Sequence, residues 1–522
     1  MNKWKRTISL VMAVVMLAAV PTVTGCSGKG STGSEKKGEG TLKISAVELG
    51  YGVEWLEALI DEFEKETGYS VTFVSKTGTL GTSALTTELE SMASDSDLIF
   101  NKFGFFAKYV HQGKIVGNDG ENYDCLLADL SDVWTAAVDE GSETTIAEKM
   151  DADYEEYYNM DGKYYGLPWA GGVLGIVRNV DVWNSLGLTD EDVPLTTDAM
   201  FALCDKVKSK VSPFIFSRNQ NYYEGFAPIF MAQYEGVQSY KQFLNGVDPD
   251  GGVTEYVYTY DGALKAMEVM EKLLDPDNEY QSSMSNLDFN LMQGQFLSGA
   301  ALFCVNGSWL EREMQQNYAE ANIDYIRTPV ISSIIDKLDT VNDDATLTEV
   351  IKYIDAMDEG ASPEKPQGVS DEDIQVVTEA RHYSYVAGGI DHQIVIPAYS
   401  EHVDIAKEFL KFMYSDKGLN VYYKAMNGSM LPATPVNGYE TEGVTVSSFI
   451  ESSNQATAMG YAVNRESTAK YFVLSSVSTT FTNGGSAVEQ LYSGKMNASQ
   501  VIDMNTEAIS KKWNVIKQYL GM

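Results

Sequence analysis

Between residues 289 and 314 the apolar positions change period twice, in FNLMQGQFLSGAALFCVNGSWLEREM. Phe289, Met292 and Phe296 recur at helical spacing, and Gly299 is placed to end that helix. Residues 300–305 are then small and continuously apolar, as in a buried strand, before Asn306-Gly307 turns the chain. Ser308 with Glu311 makes a capping pair for a second helix, so Trp309 is expected in that helix's first turn, just past a strand end. Open α/β sheets bind ligands at such places.

The same patterning organises the start of the folded chain. Leu42, Ile44 and Ala46 alternate with polar residues, then Trp55, Leu56, Leu59, Ile60 and Phe63 share one helical face up to Gly68, and residues 69–75 read as a second strand. This is a βαβ unit. A helix over 79–93 and a short strand over 97–100 follow, and the alternation continues with a strand at 173–178 and helices at 181–188, 197–209, 225–234 and 260–274. A strand at 323–330 is expected to return toward the opening βαβ unit. Ile405, Ala406, Phe409, Leu410 and Met413 form another helix face, residues 417–426 a further helix, and residues 446–520 a helical C-terminal part.

Two strand ends carry candidate chemistry. Glu48-Leu49-Gly50-Tyr51-Gly52 follows the first strand, where Tyr51 can stack on a pyranose face and Glu48 can accept hydroxyl protons; the other reading is a plain surface loop with a first-turn acid. Asn101 and Phe103 follow the third strand as candidates, although Phe103, Phe105 and Phe106 equally suit a core. The acidic, Tyr-rich residues 151–158 read as a solvated face or a rim.

The first 25 residues change the picture of where the chain works. Lys3, Lys5 and Arg6 precede an apolar run over 8–20 that is too short to span a bilayer, and Val23-Thr24-Gly25-Cys26 resembles a bacterial lipobox. A signal peptide over 1–25, diacylation of Cys26 and a Gly, Ser and Lys-rich tether over 26–40 are expected, with the membrane met through the lipid alone. The net charge of −36 speaks against nucleic acid, and mildly against anionic solutes. Beyond Cys26, Cys125, Cys204 and Cys304 are widely spaced and read as small buried hydrophobes.

The helix, small-residue strand, Gly307-Ser308-Trp309 and following helix resemble the segment of family 1 extracellular solute-binding proteins that places a tryptophan in the ligand cleft. These are the maltodextrin-binding-protein-like receptors of carbohydrate importers. The resemblance continues through Tyr165-Gly166-Leu167-Pro168-Trp169, which in the family marks the first crossing between lobes, and through residues 388–397, a cleft loop and strand with Asp391. Leu431-Pro432-Ala433 matches the last crossing.

The resemblance implies an α/β, periplasmic-binding-protein-like fold of two lobes, each a central sheet flanked by helices, joined by a hinge. The N-terminal lobe is expected over 41–165 and 383–432 and the C-terminal lobe over 166–331 and 433–522. Residues 332–382, acidic and helix-patterned, depart from the generic family as a helical insertion. The implied ligand-binding residues are Glu48, Tyr51, Asn101, Phe103, Trp169, Tyr222, Trp309 and Asp391; Trp169 and Trp309 have core packing as their other reading. The implied function is capture of a mono- or oligosaccharide and its delivery to the transmembrane subunits and ATPase of an ABC permease, by a monomer.

The chain carries no nucleotide loop, His-Glu-x-x-His or Gly-x-Ser-x-Gly arrangement, and no cofactor or metal is expected. Aromatic platforms with acidic and amide acceptors suit a neutral polyhydroxylated ligand. Three alternatives stay open: a surface enzyme cleaving glycosides, a ferric receptor using adjacent tyrosines such as Tyr222-Tyr223, and a cell-wall adhesin.

Overall fold

The computed structural model describes residues 40–103, 109–110, 115–116, 122–123, 125–150, 152–160, 162–217, 222–286, 288–388, 390–429, 432, 443–458, 460–464, 469–473, 485–520 and 522. Its main strands are β1 (Thr41–Glu48), β2 (Ser70–Thr77), β3 (Leu98–Lys102), β4 (Leu167–Pro168), β5 (Val173–Asn179) and β6 (Ser212–Ile215). Then come β7 (Ala301–Gly307), β8 (Ile323–Ile326), β9 (Tyr383–Ala387), β10 (His392–Val395) and β11 (Tyr461–Val463). They form two sheets, ordered β2-β1-β3-β10-β4 and β6-β7-β5-β9-β11, with β8 also pairing with β5. Each sheet is flanked by helices, so the fold is the two-lobed α/β plan that the patterning implies.

In the first lobe β1 runs parallel to β2 and β3, while β10 lies antiparallel between β3 and β4. Helix α1 (Glu54–Thr67) buries Trp55, Leu56, Leu59, Ile60 and Phe63, the face its periodicity marks. Against that face pack Phe409, 5.1 Å from Phe63 between ring centroids, and Tyr422, 4.9 Å from Trp55. Helices Val403–Tyr414 and Asp416–Ala425 thereby close the first core. Helix α2 (Gly78–Glu90) begins directly at the end of β2.

The second lobe is built around helix Phe226–Glu235, whose residues from Phe226 to Tyr234 are all buried. It packs between β9 and helix Asp261–Leu274, and the C-terminal helix Ala498–Leu520 covers the latter. Helix α3 (Phe289–Leu297) ends before Gly299, which takes φ 89°, and β7 is buried at every position.

Several expectations need correction. The strand at 323 does not return to the first lobe, because β8 pairs antiparallel with β5 from Ile323↔Asn179 to Ile326↔Ile176. Leu167 and Pro168 still belong to the first sheet, and residues 383–387 to the second, so the expected changes of lobe at 166 and 383 shift to 169–172 and 388–391. Those two segments run side by side, with Gly388 N–H donating to Gly172 O at 2.9 Å and Trp169 N–H to His392 O at 2.9 Å. Of the expected last crossing, Leu431 and Ala433 lie outside the described residues. Tyr158 is fully buried rather than solvated, its hydroxyl 3.3 Å from Ile390 O. Cys204 and Cys304 are buried, but Cys125 is partly exposed and donates to Leu127 O at 2.8 Å.

The expected insertion holds two further helices, beyond α4 (Leu310–Tyr318): α5 (Asp344–Asp358) and α6 (Asp371–His382). Apolar burial of Leu347, Val350, Ile351 and Ile354 seats α5. Charge fixes it to the second lobe. Arg381 holds Asp355 with two bonds of 2.8 and 2.9 Å, and Arg327, just after β8, reaches Asp355 at 2.9 Å and Asp358 at 3.0 Å. Asp355→Ala removes the acceptor shared by two largely buried guanidinium groups, and should cost about 3 kcal/mol of stability, the low end for breaking a buried pair. Denaturant unfolding beside the exposed control Glu359→Ala, expected to change by less than about 0.5 kcal/mol, is the measurement.

Candidate functional site

A cleft of about 520 Å³ opens between the lobes. Its first wall is made by the carboxyl ends of three parallel strands: Glu48 at the end of β1 with Leu49 to Tyr51 after it, Thr77 to Thr79 at the end of β2, and Lys102 at the end of β3. The opposite wall is Tyr222, Asp288 to Asn290, Trp309 and Glu313 of the second lobe. Leu174, Ala387, Gly388, Asp391 and His392, in and beside the two crossing segments, complete the lining.

Trp309 is held from several sides. Its indole N–H donates to the Tyr222 hydroxyl at 3.2 Å, and the Tyr222 ring meets Trp309 and Phe289 edge to face at 5.4 and 5.3 Å. A Cβ on Gly307 would stand 2.2 Å from the indole, and one on Gly388 would stand 2.8 Å from it. The indole therefore fills space that two side-chain-free positions leave, and keeps 9% of its surface exposed. Ser308 does not cap the helix after it. Its Oγ accepts the Val173 N–H at 3.3 Å, and Trp309 itself is the uncapped residue before α4. Asn306 and Gly307 are strand residues rather than a turn, since β7 runs on through Gly307 opposite Leu174.

The polar groups are set by burial and pairing. Lys102 Nζ lies 3.2 Å from Asp391 Oδ2, and Asp391 Oδ1 is 3.0 Å from His392 Nδ1. Glu48 Oε2 accepts from Ser75 and Thr77 hydroxyls at 3.2 and 3.4 Å. Burial pushes the Glu313 carboxyl up to about 7, against the opposing pull of a 3.3 Å bond from Gln293 and of the Lys102 charge. Burial likewise raises the Tyr51 phenol well above its ordinary value, and its hydroxyl has no hydrogen-bond partner among the described residues. The lobes also touch here: Arg312 reaches Tyr51 O and Glu54 Oε2, each at 3.5 Å, and Glu313 lies against Gly50, where a Cβ would stand 2.6 Å from its Oε1.

Of the residues singled out in the sequence, Glu48, Tyr51, Tyr222, Trp309 and Asp391 line the cleft together. Asn101, Phe103 and Trp169 do not. Asn101 is fully buried and turns its amide to Thr82 O and Thr86 Oγ1, at 3.1 and 3.2 Å. Phe103 packs edge to face on Tyr109. Trp169 stacks on Trp55 at 5.4 Å and 8°, its N–H bound to Asn101 O, in the core of the first lobe.

Lys102 and Glu313 were passed over, and both had a signal. Strand side chains alternate, so Asn101 on β3 and Phe103 just after it share the face turned from the cleft, and Lys102 between them lies on the cleft side. Glu313 is four residues after Trp309, hence on the same face of a helix. The adjacent tyrosines do not converge on one ion. Tyr222 lines the cleft, whereas Tyr223 is fully buried with its hydroxyl 3.4 Å from Gln281 Oε1.

A receptor that holds a solute between two hinged lobes is the class this geometry defines. The chain belongs to the family of bacterial extracellular solute-binding proteins, whose profile matches residues 58–437. It is 26% identical to the multiple sugar-binding protein of Streptococcus mutans over 159 residues, 30% of this chain and 36% of that protein's length. Among solved structures, the raffinose complex of RafE, a protein also solved from Streptococcus pneumoniae, shares 16% identity with a TM-score of 0.58, over 90% of this chain and 99% of that one. The GacH receptor of Streptomyces glaucescens, solved unliganded and with acarbose, is equally similar in fold: 16% identity and a TM-score of 0.58, over 91% and 99% of the two chains. An extracytoplasmic location follows from the family, and among the described residues no helix is long and apolar enough to cross a membrane.

The glycine slot makes a prediction independent of any ligand. Gly307→Ala should expel the Trp309 indole, seen as a changed near-ultraviolet circular dichroism spectrum with unchanged far-ultraviolet signal. An unaltered near-ultraviolet spectrum would show that the slot is not what holds the ring.

Proposed function

We propose that this protein captures a mono- or oligosaccharide in the interlobe cleft and delivers it to the permease of an ABC importer, acting by binding rather than by cleavage. The observation that carries this reading is the pairing of an edge-packed aromatic wall, Trp309 with Tyr222 and Phe289, against a polar wall of Glu48, Lys102 and Asp391. An aromatic face covers the C–H surface of a sugar ring while carboxylates, amine and backbone replace water around its hydroxyls. The ligands of two proteins of similar fold, raffinose in RafE and acarbose in GacH, support the same class. Because the walls belong to different lobes, a ligand touching both favours the closed arrangement, and closure is the signal that the permease reads.

A thermal-shift screen against mono- and oligosaccharides tests the reading directly, since a ligand of the native state raises the apparent Tm. For the saccharide that binds best, Trp309→Ala should lose about 2 kcal/mol of binding, the size expected for an aromatic anchor. Binding measured by calorimetry should be stoichiometric. Released shorter products from an oligosaccharide would instead favour the enzyme alternative, and failure of every saccharide to stabilise the protein would overturn the assignment.

The chain's start supports an anchored receptor. Cys26, outside the described residues, would carry the lipid and residues 26–40 the tether, leaving the monomeric receptor at the outer face of the cell membrane. Cys26→Ser should move the protein from the membrane fraction to the medium with ligand affinity unchanged. Continued membrane association of that variant, measured by fractionation, would exclude the anchor.

A further inference from the structure

The charges around the cleft are unbalanced. Glu48, Asp288, Glu313 and Asp391 all line it, and among the described lining residues Lys102 is the one lysine or arginine. Lys102 is already engaged with Asp391 at 3.2 Å. Arg312, although next to Glu313 in sequence, points away to Tyr51 O and Glu54. Asp288 accepts the Asn290 N–H at 3.0 Å, and Glu48 is met by two neutral hydroxyls. The cleft walls thus carry more negative charge than they neutralise, within a chain that is itself at −36.

Glu313 differs from the other acids in position. It projects from α4 into the wall where the lobes touch, against Gly50 of the first lobe, with Gln293 of α3 as its bonded neighbour. The charged and titratable groups that face it are Lys102 from β3, whose charge favours its ionised form, and the Tyr51 phenol from the loop after β1, on which Asp391 also acts. A carboxylate so enclosed feels the ligand's own charge through little water, so a cation in the cleft is strongly favoured and an anion strongly opposed.

We propose that Glu313 sets the charge specificity of the cleft, so that a saccharide bearing a protonated amine is preferred over its neutral counterpart and one bearing a carboxylate is excluded. The inference rests on the saccharide reading and narrows it to neutral and basic sugars. With its carboxyl pushed up to about 7, Glu313 is mostly neutral at pH 5.5 and about half ionised at pH 7.0. A sugar amine titrates near an α-amino group, at about 7.7–8.0, and stays largely protonated across that interval. The amine preference should therefore grow as pH rises through it, while binding of a uronate weakens.

The test is calorimetric titration of the full-length protein at pH 5.5 and 7.0. The probes are glucose and galactose, their 2-amino and uronate counterparts, and glucosamine trisaccharide beside its N-acetylated form. The amine-bearing probe of a set should gain about tenfold in affinity over its neutral partner between the two pH values, following the ionised fraction of Glu313. Glu313→Gln, close in shape, should abolish that gain and admit the uronate. Lys102→Gln, which removes the charge that favours ionised Glu313, should move that gain to higher pH. Uronate binding as tight as that of the neutral sugar, or a pH-dependent gain that persists in Glu313→Gln, would overturn this proposal and leave the saccharide receptor standing. Absence of binding by every probe and by every saccharide of the thermal-shift screen would overturn the receptor reading itself, and this one with it.

Discussion

The indole of Trp309 lies in space that exists because Gly307 and Gly388 have no side chains, and much of the site depends on that fit. Gly388 belongs to one crossing segment and is bonded to Gly172 of the other, so the aromatic wall of the cleft rests directly on the hinge. A ring packed this closely has one place to go, which Tyr222 then fixes by accepting its N–H. Side-chain packing of this kind sets an orientation that a loop alone would not.

Most of the secondary structure was legible because its apolar periods are clean. The buried face of α1 matches the marked residues one for one, and β7 and α3 fall where the small apolar run and the Phe289, Met292, Phe296 spacing put them. What periodicity does not encode is which strand pairs with which. Residues 323–326 read correctly as a strand yet join β5, and residues 383–387 join the second sheet, because pairing is decided by contacts distant in sequence. Ser308 shows the same limit at a single side chain: its capping pattern is present, but the Val173 N–H across the sheet takes its oxygen.

The site was legible where a loop follows a strand and obscure where an aromatic had two uses. Trp169 carries the composition of a binding platform, and only the tertiary arrangement shows it stacked on Trp55 inside the first lobe. Lys102 was missed through strand parity, although its pairing with Asp391 ties the end of β3 to the second crossing segment. Glu313 was hidden by abundance: one acid among 74 has no distinguishing mark in the sequence, and its enclosure between α3, Gly50 and Lys102 is what sets it apart.

The placement of β10 also governs the order in which the molecule can be assembled. This strand sits inside the first sheet, between β3 and β4, yet it is made after β5 to β9 of the second. Gln393 on β10 accepts the N–H of Phe103 across 290 residues of chain. Closing so large a loop is costly before its contacts form, which slows such pairings. The lobe that leaves the ribosome first is thus the one that must wait to be finished, holding an open sheet edge at β3 until the chain has travelled out through the other lobe and back.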